Sequence, residues 1–424
     1  MAIDGGMFLS QNETLPGAYL NFVSAVKADA AVSERGVSAV ILPLSWNVGN
    51  VVRVTYETFY EQALVLFGCA AEDATLLPVR EMLKGSREVL VYVAGSSDAA
   101  MCDGFGCAKC AGAAGNSITV RVTKNTAWSA ENQIFDVETR IGSDLVDRQT
   151  VGGSGATLRD NAFVAFVPDM VLSEGVYEFS GATANEITVS DVKIGLDALE
   201  NEQFQTLACG YTEQAMKELF FQYTKRCRDQ VGKKFQCVLF DYAADYEGVV
   251  NVTTRADLVY WVTGALAGCA VQESLTNARY TGELDFAPCA TQSELAGAIE
   301  RGEFTFHRVG NLVRVLMDCN SNTQSQVLRS NQTVRVLDQI ANDIAVLFRE
   351  QYLGKVQNNA SGRLSFWNAV VRQHKQLELL GAIEEFVAED VTVTAGSSKD
   401  AVVVADRVKP SNCMAKLYMT VTVL

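Results

Sequence analysis

Three cysteines form the sharpest chemical cluster in the chain, Cys102-x4-Cys107-x2-Cys110. Thiolates at this spacing bind zinc, and Cys-x2-Cys is a usual half-site. A structural site needs a fourth ligand. No His or Cys follows Cys110 within about thirty residues, so it would have to come from afar, His307 being a candidate. The surrounding residues are Gly and Ala, and the competing reading is a small-residue linker over 101–115. No metal and no cofactor is expected. A second candidate is Asp241 with Asp245, just after the strand-like run Phe235–Phe240. Acidic side chains at the carboxyl end of a parallel strand can hold Mg²⁺ or a ribose. However, no G-x-G-x-x-G opens a helix after a strand, Gly232-Lys233-Lys234 lacks the hydroxyl residue of a phosphate loop, and Gly152-Gly153-Ser154-Gly155 lies among β runs. Only two histidines exist, His307 and His374, and no Gly-x-Ser-x-Gly elbow occurs. No catalytic residue is expected. The alternative, a cytosolic α/β enzyme or nucleotide-binding protein, would rest on Asp241 and Asp245.

The elements that must position these residues follow from length and pattern. At 424 residues the chain can hold roughly two to four domains. A net charge of -15 repels phosphate backbones and argues against nucleic acid as a partner. The start Met1–Gly6 has neither a basic leader nor an apolar run, so no signal peptide is expected. The longest apolar run, Leu258–Val271, is interrupted and falls short of the ~20 residues of a membrane span. It predicts a buried helix and no membrane insertion. Eleven cysteines, an odd number in a large chain, suggest reduced thiols in a cytosolic setting.

Periodicity predicts an α+β multidomain fold. Residues 1–24 read as an extended arm, with Gly5-Gly6 and the turn signal Pro16-Gly17. Residues 25–110 read as a small α/β domain, with strands Val37–Leu44 and Glu88–Ala94 and helices Glu57–Leu66 and Leu76–Leu83. Residues 111–190 carry short β runs (Ile118–Val122, Phe135–Arg140, Asp144–Val151, Phe163–Phe166, Gly175–Phe179) and read as an inserted all-β, sandwich-like domain. Residues 191–330 alternate strand and helix, which argues for a central, largely parallel sheet covered by helices. There Met216, Leu219, Phe220, Tyr223 and Cys227 share a face of a helix over Thr212–Val231, and Gly232 can end it. The pair Gly264-x3-Gly268 allows close helix packing. Residues 331–411 read as a C-terminal α/β domain, with helices over Gln332–Val356 and Leu364–Leu380 and strands over Glu389–Thr394 and Ala401–Val408.

The last stretch, 412–424, reads as a β-arm. Leu417, Met419, Val421 and Val423 alternate with Tyr418, Thr420, Thr422 and Leu424, a period-2 pattern of β-prone residues. Such a strand either edges its own sheet or adds to another.

Several motifs together resemble the contractile tail sheath family of myophages, tailocins and related injection systems. They are Gly5-Gly6-x-Phe8-x2-Gln11-Asn12-x3-Pro16-Gly17-x-Tyr19-x-Asn21-Phe22; Gly232-Lys233-Lys234-Phe235-Gln236; Gly264-Ala265-x-Ala267-Gly268 with Ser274-Leu275-Thr276; Asn331-Gln332-x-Val334-Arg335-x-Leu337-Asp338; Leu353-Gly354-Lys355; Gly362-Arg363; Asp390-Val391, Lys399 and Val402–Val404; and Leu417-Tyr418-Met419-Thr420-Val421. Residues 117–190 match loosely, and Cys110 and Cys319 stand where the family carries ordinary strand residues. The resemblance implies a structural protein without catalytic function. It stacks as hexameric rings into a helical sheath around a tail tube protein, bounded by baseplate and tail terminator proteins. It works in a virion tail or injection particle assembled in the bacterial cytoplasm, where contraction drives the tube through an envelope. The arms then exchange strands between subunits, and the residues implied in linkage are Phe8, Tyr19, Phe22, Leu417, Tyr418, Met419, Val421 and Val423.

Overall fold

The computed structural model describes residues 32–184 and 187–423. The arm over 1–24, with Phe8, Tyr19 and Phe22, lies outside the described residues. The described chain divides into two compact units, 34–339 with 410–423, and 32–33 with 340–409.

The larger unit begins with β1 (Val37–Leu42), apolar but for Ser38 and buried at every position. That is the signature of a strand covered on both faces. β2 (Val51–Thr55), α1 (Tyr56–Phe67), α2 (Leu77–Leu83) and β3 (Glu88–Val93) follow. The chain then leaves for an insertion of two antiparallel sheets. β4 (Ala99–Cys102), β5 (Gly106–Ala111) and β9 (Val164–Phe166) form one; β6 (Ile118–Lys124), β7 (Ile134–Ile141), β8 (Asp144–Gly152) and β10 (Gly175–Glu178) form the other. Their shared core includes Trp46, Phe105, Val120, Val137 and Phe163. The stretch 101–115, expected as a linker, is therefore mostly a β-hairpin, and the insertion starts at Ala99 instead of residue 111. Small residues are poor strand formers alone, but pairing with β9 overrides their propensity.

After the insertion come α3 (Val189–Leu199), β11 (Thr206–Ala208), α4 (Gln214–Arg226), β12 (Gln236–Phe240), β13 (Val249–Val252), α5 (Leu258–Gly268), α6 (Gln292–Glu300) and β14 (Glu303–Phe304), then a hairpin of β15 (Phe306–Val309) and β16 (Leu312–Val315). The central sheet has seven strands in the order β14-β13-β12-β11-β1-β3-β2. All neighbours are parallel except β2 against β3. Residues 25–110, expected as a domain of their own, thus supply three strands of the same sheet as 191–330. Adjacency in a sheet is set by long-range pairing, which sequence spacing does not report. Alternate residues feed two cores. Val40, Val91 and Val238 face one side with Leu258 and Val262; Ile41, Tyr92 and Leu239 face the other with Leu196 and Phe220.

Two glycine expectations are met. Gly232 adopts φ +86° and caps a π-turn over Cys227–Val231 at the end of α4. Gly264 and Gly268 bring α5 against the end of α2, where an added Cβ would lie 2.1 Å from the Met82 carbonyl and 1.9 Å from that of Gly85. Only glycine permits that approach. Helix α3 was not expected, although Thr188-x2-Asp191 forms its reciprocal cap.

α7 (Asn331–Leu347) begins in the larger unit. It ends sooner than the expected residue 356, in a π-turn over Phe348–Tyr352. α8 (Ala360–Leu379) opens with the Asn359 side chain accepting from the Gly362 amide. β17 (Val391–Ala395) and β18 (Val402–Asp406) form an antiparallel hairpin. In the smaller unit Leu347, Phe366, Val370 and Val391 make the core, and the Trp367 indole donates to the Val391 carbonyl at 2.8 Å. The whole is a mixed α/β, multi-sheet protein. Among the described residues no helix is long and apolar enough to cross a membrane.

Candidate assembly interface

The chemically suggestive residues do not converge. Cys102 lies on β4 and Cys107 and Cys110 on β5, with Cys102 opposite Gly106 and Met101 opposite Cys107. Burial holds the Cys102 and Cys110 thiols above their ordinary value. His307 sits on the β15–β16 hairpin, opposite Arg314. Among the described residues no three His, Cys, Asp or Glu side chains are grouped to hold an ion.

Asp241 and Asp245 follow β12 in the left-handed region, at φ +46° and +49°. The Asp245 carboxylate accepts from the Thr323 amide at 2.7 Å, the Thr323 hydroxyl at 2.8 Å and the Gln324 amide group at 2.8 Å. Those bonds, the Thr323 amide first, hold its pKa below the ordinary value. The residue ties one loop to another. At Asp241 the backbone carbonyl accepts from the Lys217 ammonium at 3.2 Å. His374 is buried in the smaller unit, its Nδ1 3.0 Å from the Val370 carbonyl and its Nε2 2.9 Å from the Asp406 carboxylate. It joins α8 to β18.

A different polar cluster is more demanding. Asp318 and Arg335 are each 1% exposed and 3.2 Å apart. The Asp318 carboxylate also accepts from the Asn331 side chain at 2.9 Å and the Leu275 amide at 3.1 Å. Asn331 in turn accepts from Gln236 of β12 at 2.9 Å. Arg335 donates to the Glu273 carbonyl at 2.7 Å. One turn further along α7, Asp338 takes two bonds from Arg228, at 2.6 and 2.9 Å. Two ion pairs with this many supporting bonds fix the first turns of α7 to the central sheet. From sequence this helix showed an apolar stripe; that its polar residues are buried depends on partners far away in the chain.

The terminal segment crosses this point. Cys413 donates its amide to the Gln332 side chain at 2.9 Å, and the Ser330 hydroxyl donates to the Asn412 side chain at 2.9 Å. Beyond them the chain lies in the open. Leu417, Tyr418, Met419, Val421 and Val423 are 71–90% exposed. The strand expected here joins no ladder among the described residues. Among the described residues of the smaller unit the β17–β18 sheet has two strands, and Val403 on β18 is exposed. Sequence reasoning singled out the apolar alternation but missed Gln332 and Asn412, which hold its root; the Asn331-Gln332 motif was the available signal.

Residues 185–321 match the phage tail sheath protein central domain, and residues 323–424 the phage tail sheath C-terminal domain. Together the matches exceed half of the chain. The fold is similar to a sheath tail protein of Desulfitobacterium hafniense, with TM-score 0.78 and 32% identity over 95% of this chain and 99% of that one. It is also similar to the sheath tail protein Lin1278 of Listeria innocua, with TM-score 0.77 and 29% identity over 89% and 92% of the two chains. At 11% identity, the helical sheath of the anti-feeding prophage in its contracted state shares the fold, with TM-score 0.58 over 97% of this chain and 99% of that one.

Proposed function

Because this chain belongs to the phage tail sheath family, we propose that it is the structural subunit of a contractile sheath, with no enzymatic role, and that its terminal residues link one copy to the next. The subunits stack as hexameric rings around a tail tube protein, between baseplate and tail terminator proteins. The particle is a phage tail or an injection system, assembled in the bacterial cytoplasm, and contraction drives the tube through a target envelope.

The observation that carries the linkage is the exposed alternation of Leu417, Met419, Val421 and Val423. An unpaired apolar strand is an aggregation hazard in a lone molecule. In a polymer it is an attachment. Extended, 412–424 span about 40 Å at ~3.3 Å per residue, enough to reach a neighbouring copy. The edges of the β17–β18 hairpin in another copy are suited to receive it by strand addition. Each ladder bond contributes ~1 kcal/mol net, and each buried apolar side chain ~1.5–3 kcal/mol. One arm is a modest attachment, but repeated through a lattice such links act as intramolecular contacts and add up. Phe8, Tyr19 and Phe22 are proposed to serve the same purpose from the other end.

Removing Ser411–Leu424 tests this. The truncated chain should stay soluble and folded, with the circular dichroism of the full chain, and form no tubes under negative-stain microscopy. Tubes of ordinary length would refute linkage through this segment.

A further inference from the structure

The terminal segment is held at one end, and the holding is specific. Gln332, 3% exposed on the first turn of α7, uses both ends of its amide. Its oxygen accepts from the Cys413 amide at 2.9 Å, and its nitrogen donates to the Gln272 carbonyl at 3.0 Å. That carbonyl also accepts from the Cys413 thiol at 3.4 Å. Beside it, the Asn412 side-chain oxygen accepts from the Ser330 hydroxyl at 2.9 Å and from the Thr333 hydroxyl at 3.3 Å. The next residue, Met414, is wholly exposed.

We propose that Gln332 and Asn412 form a positioning clamp that sets where the linking arm leaves its subunit, with Met414 as the first hinge residue. The inference rests on the sheath reading above and deepens it. Two arguments support it. The first is preorganisation: rooting 412–413 removes backbone freedom that a neighbour would otherwise have to freeze on capture, which favours binding. The second is continuity. Gln332 follows Asn331, which bonds Asp318 and receives Gln236 of β12. A pull on the arm therefore passes through the half-buried Cys413–Gln332 bond and then the buried bonds of Asn331 into the central sheet. The free part beyond Met414 can reorient while its root stays in place, which is what a lattice that changes its packing requires of its connectors.

The test uses the full chain with Gln332→Met, which removes both bonds at similar volume, and separately Asn412→Ala. Asn412 lies on the exposed segment, so its variant carries the test even if Gln332→Met fails to fold. In unassembled protein, amide hydrogen exchange at 411–413 should quicken about fivefold, the loss of one net hydrogen bond, with exchange in β12 unchanged. The protein concentration needed for tube formation should rise severalfold. Unchanged exchange in both variants would overturn the clamp. So would faster exchange with tubes forming at the wild-type concentration. The chain lacking 411–424 is run beside them: if it assembles, the linkage reading itself fails; if it does not while both clamp variants behave as wild type, only the clamp fails.

Discussion

The central sheet and the terminal segment are written in the same residues, and their fates are opposite. Val89, Leu90, Val91 and Val93 of β3 are fully buried, whereas Leu417, Val421 and Val423 are 71–90% exposed. Both runs are apolar and β-prone. The difference is partners. β3 lies between β1 and β2 in the sheet, with α2 packed against it. Residues 414–423 have no ladder among the described residues. Apolar alternation specifies a strand; it does not say which chain supplies the other strand. The contrast extends to polar groups. Asp318 and Arg335 are buried and fully engaged, while Lys416, the sole charge in 410–424, lies on the exposed segment.

The comparison can be broken from the core side first. Asp318→Ala leaves the Arg335 charge buried without its partner, and should cost about 3–5 kcal/mol of folding stability. Urea unfolding followed by circular dichroism would measure it, and a loss below ~1 kcal/mol would mean that the cluster does not fix α7. A smaller, pH-dependent effect should come from Lys233. Its ammonium donates to the Leu199 and Glu200 carbonyls at 3.0 and 3.1 Å and lies 4.0 Å from the centre of the Phe204 ring. Burial pulls its pKa down to about 8. The unfolded chain releases that proton near ~10.4. Between the two values the unfolded state binds more protons, so this group's contribution to stability rises with pH from about 8 to ~10. Burial pushes the Cys209, Cys269 and Cys319 thiols up, and they act in the opposite sense. The difference in urea midpoint between wild type and Lys233→Met isolates the lysine, and it should keep the same slope in the chain lacking 411–424. The smallest effect on folding belongs to the terminal segment. Met419→Asp should change stability by less than ~0.5 kcal/mol yet suppress tube formation. A large loss of stability in the unassembled protein would show that 414–423 already packs on its own chain.

Much of this was legible. Strand–helix alternation in 191–330 announced the parallel sheet. Gly264-x3-Gly268 announced the α2–α5 approach, and the five β runs of the insertion fall on observed strands within a few residues. The misses have physical causes. The merging of 25–110 with 191–330 depends on β1 pairing with β11, a contact across the whole insertion. The Cys102–Cys110 hairpin looked like a linker because Gly and Ala carry no strand signal, and only β9 gives them one. Asp241 and Asp245 invite a ligand-site reading because strand ends often are one, with a solvated loop the favoured reading; what the sequence does not show is that the Asp245 carboxylate binds Thr323 and Gln324. The contact at Gln332 joins residues some eighty positions apart; the Asn331-Gln332 motif marks one side of it, but nothing local names Cys413 as the partner. The exposed segment was read as a strand from its alternation, and its lack of a ladder partner among the described residues is the structural finding that gives that alternation its proposed purpose.

The central claim is that residues 416–423 become a strand only when another copy of the chain supplies the sheet. Electron cryo-microscopy of assembled tubes, at a resolution that traces the backbone, tests it most directly. The account predicts 416–423 in a hydrogen-bonded ladder with a neighbouring subunit, with Leu417, Met419, Val421 and Val423 turned into that subunit's apolar layer. A segment still solvent-exposed in the tube, or folded back onto its own chain, would contradict it.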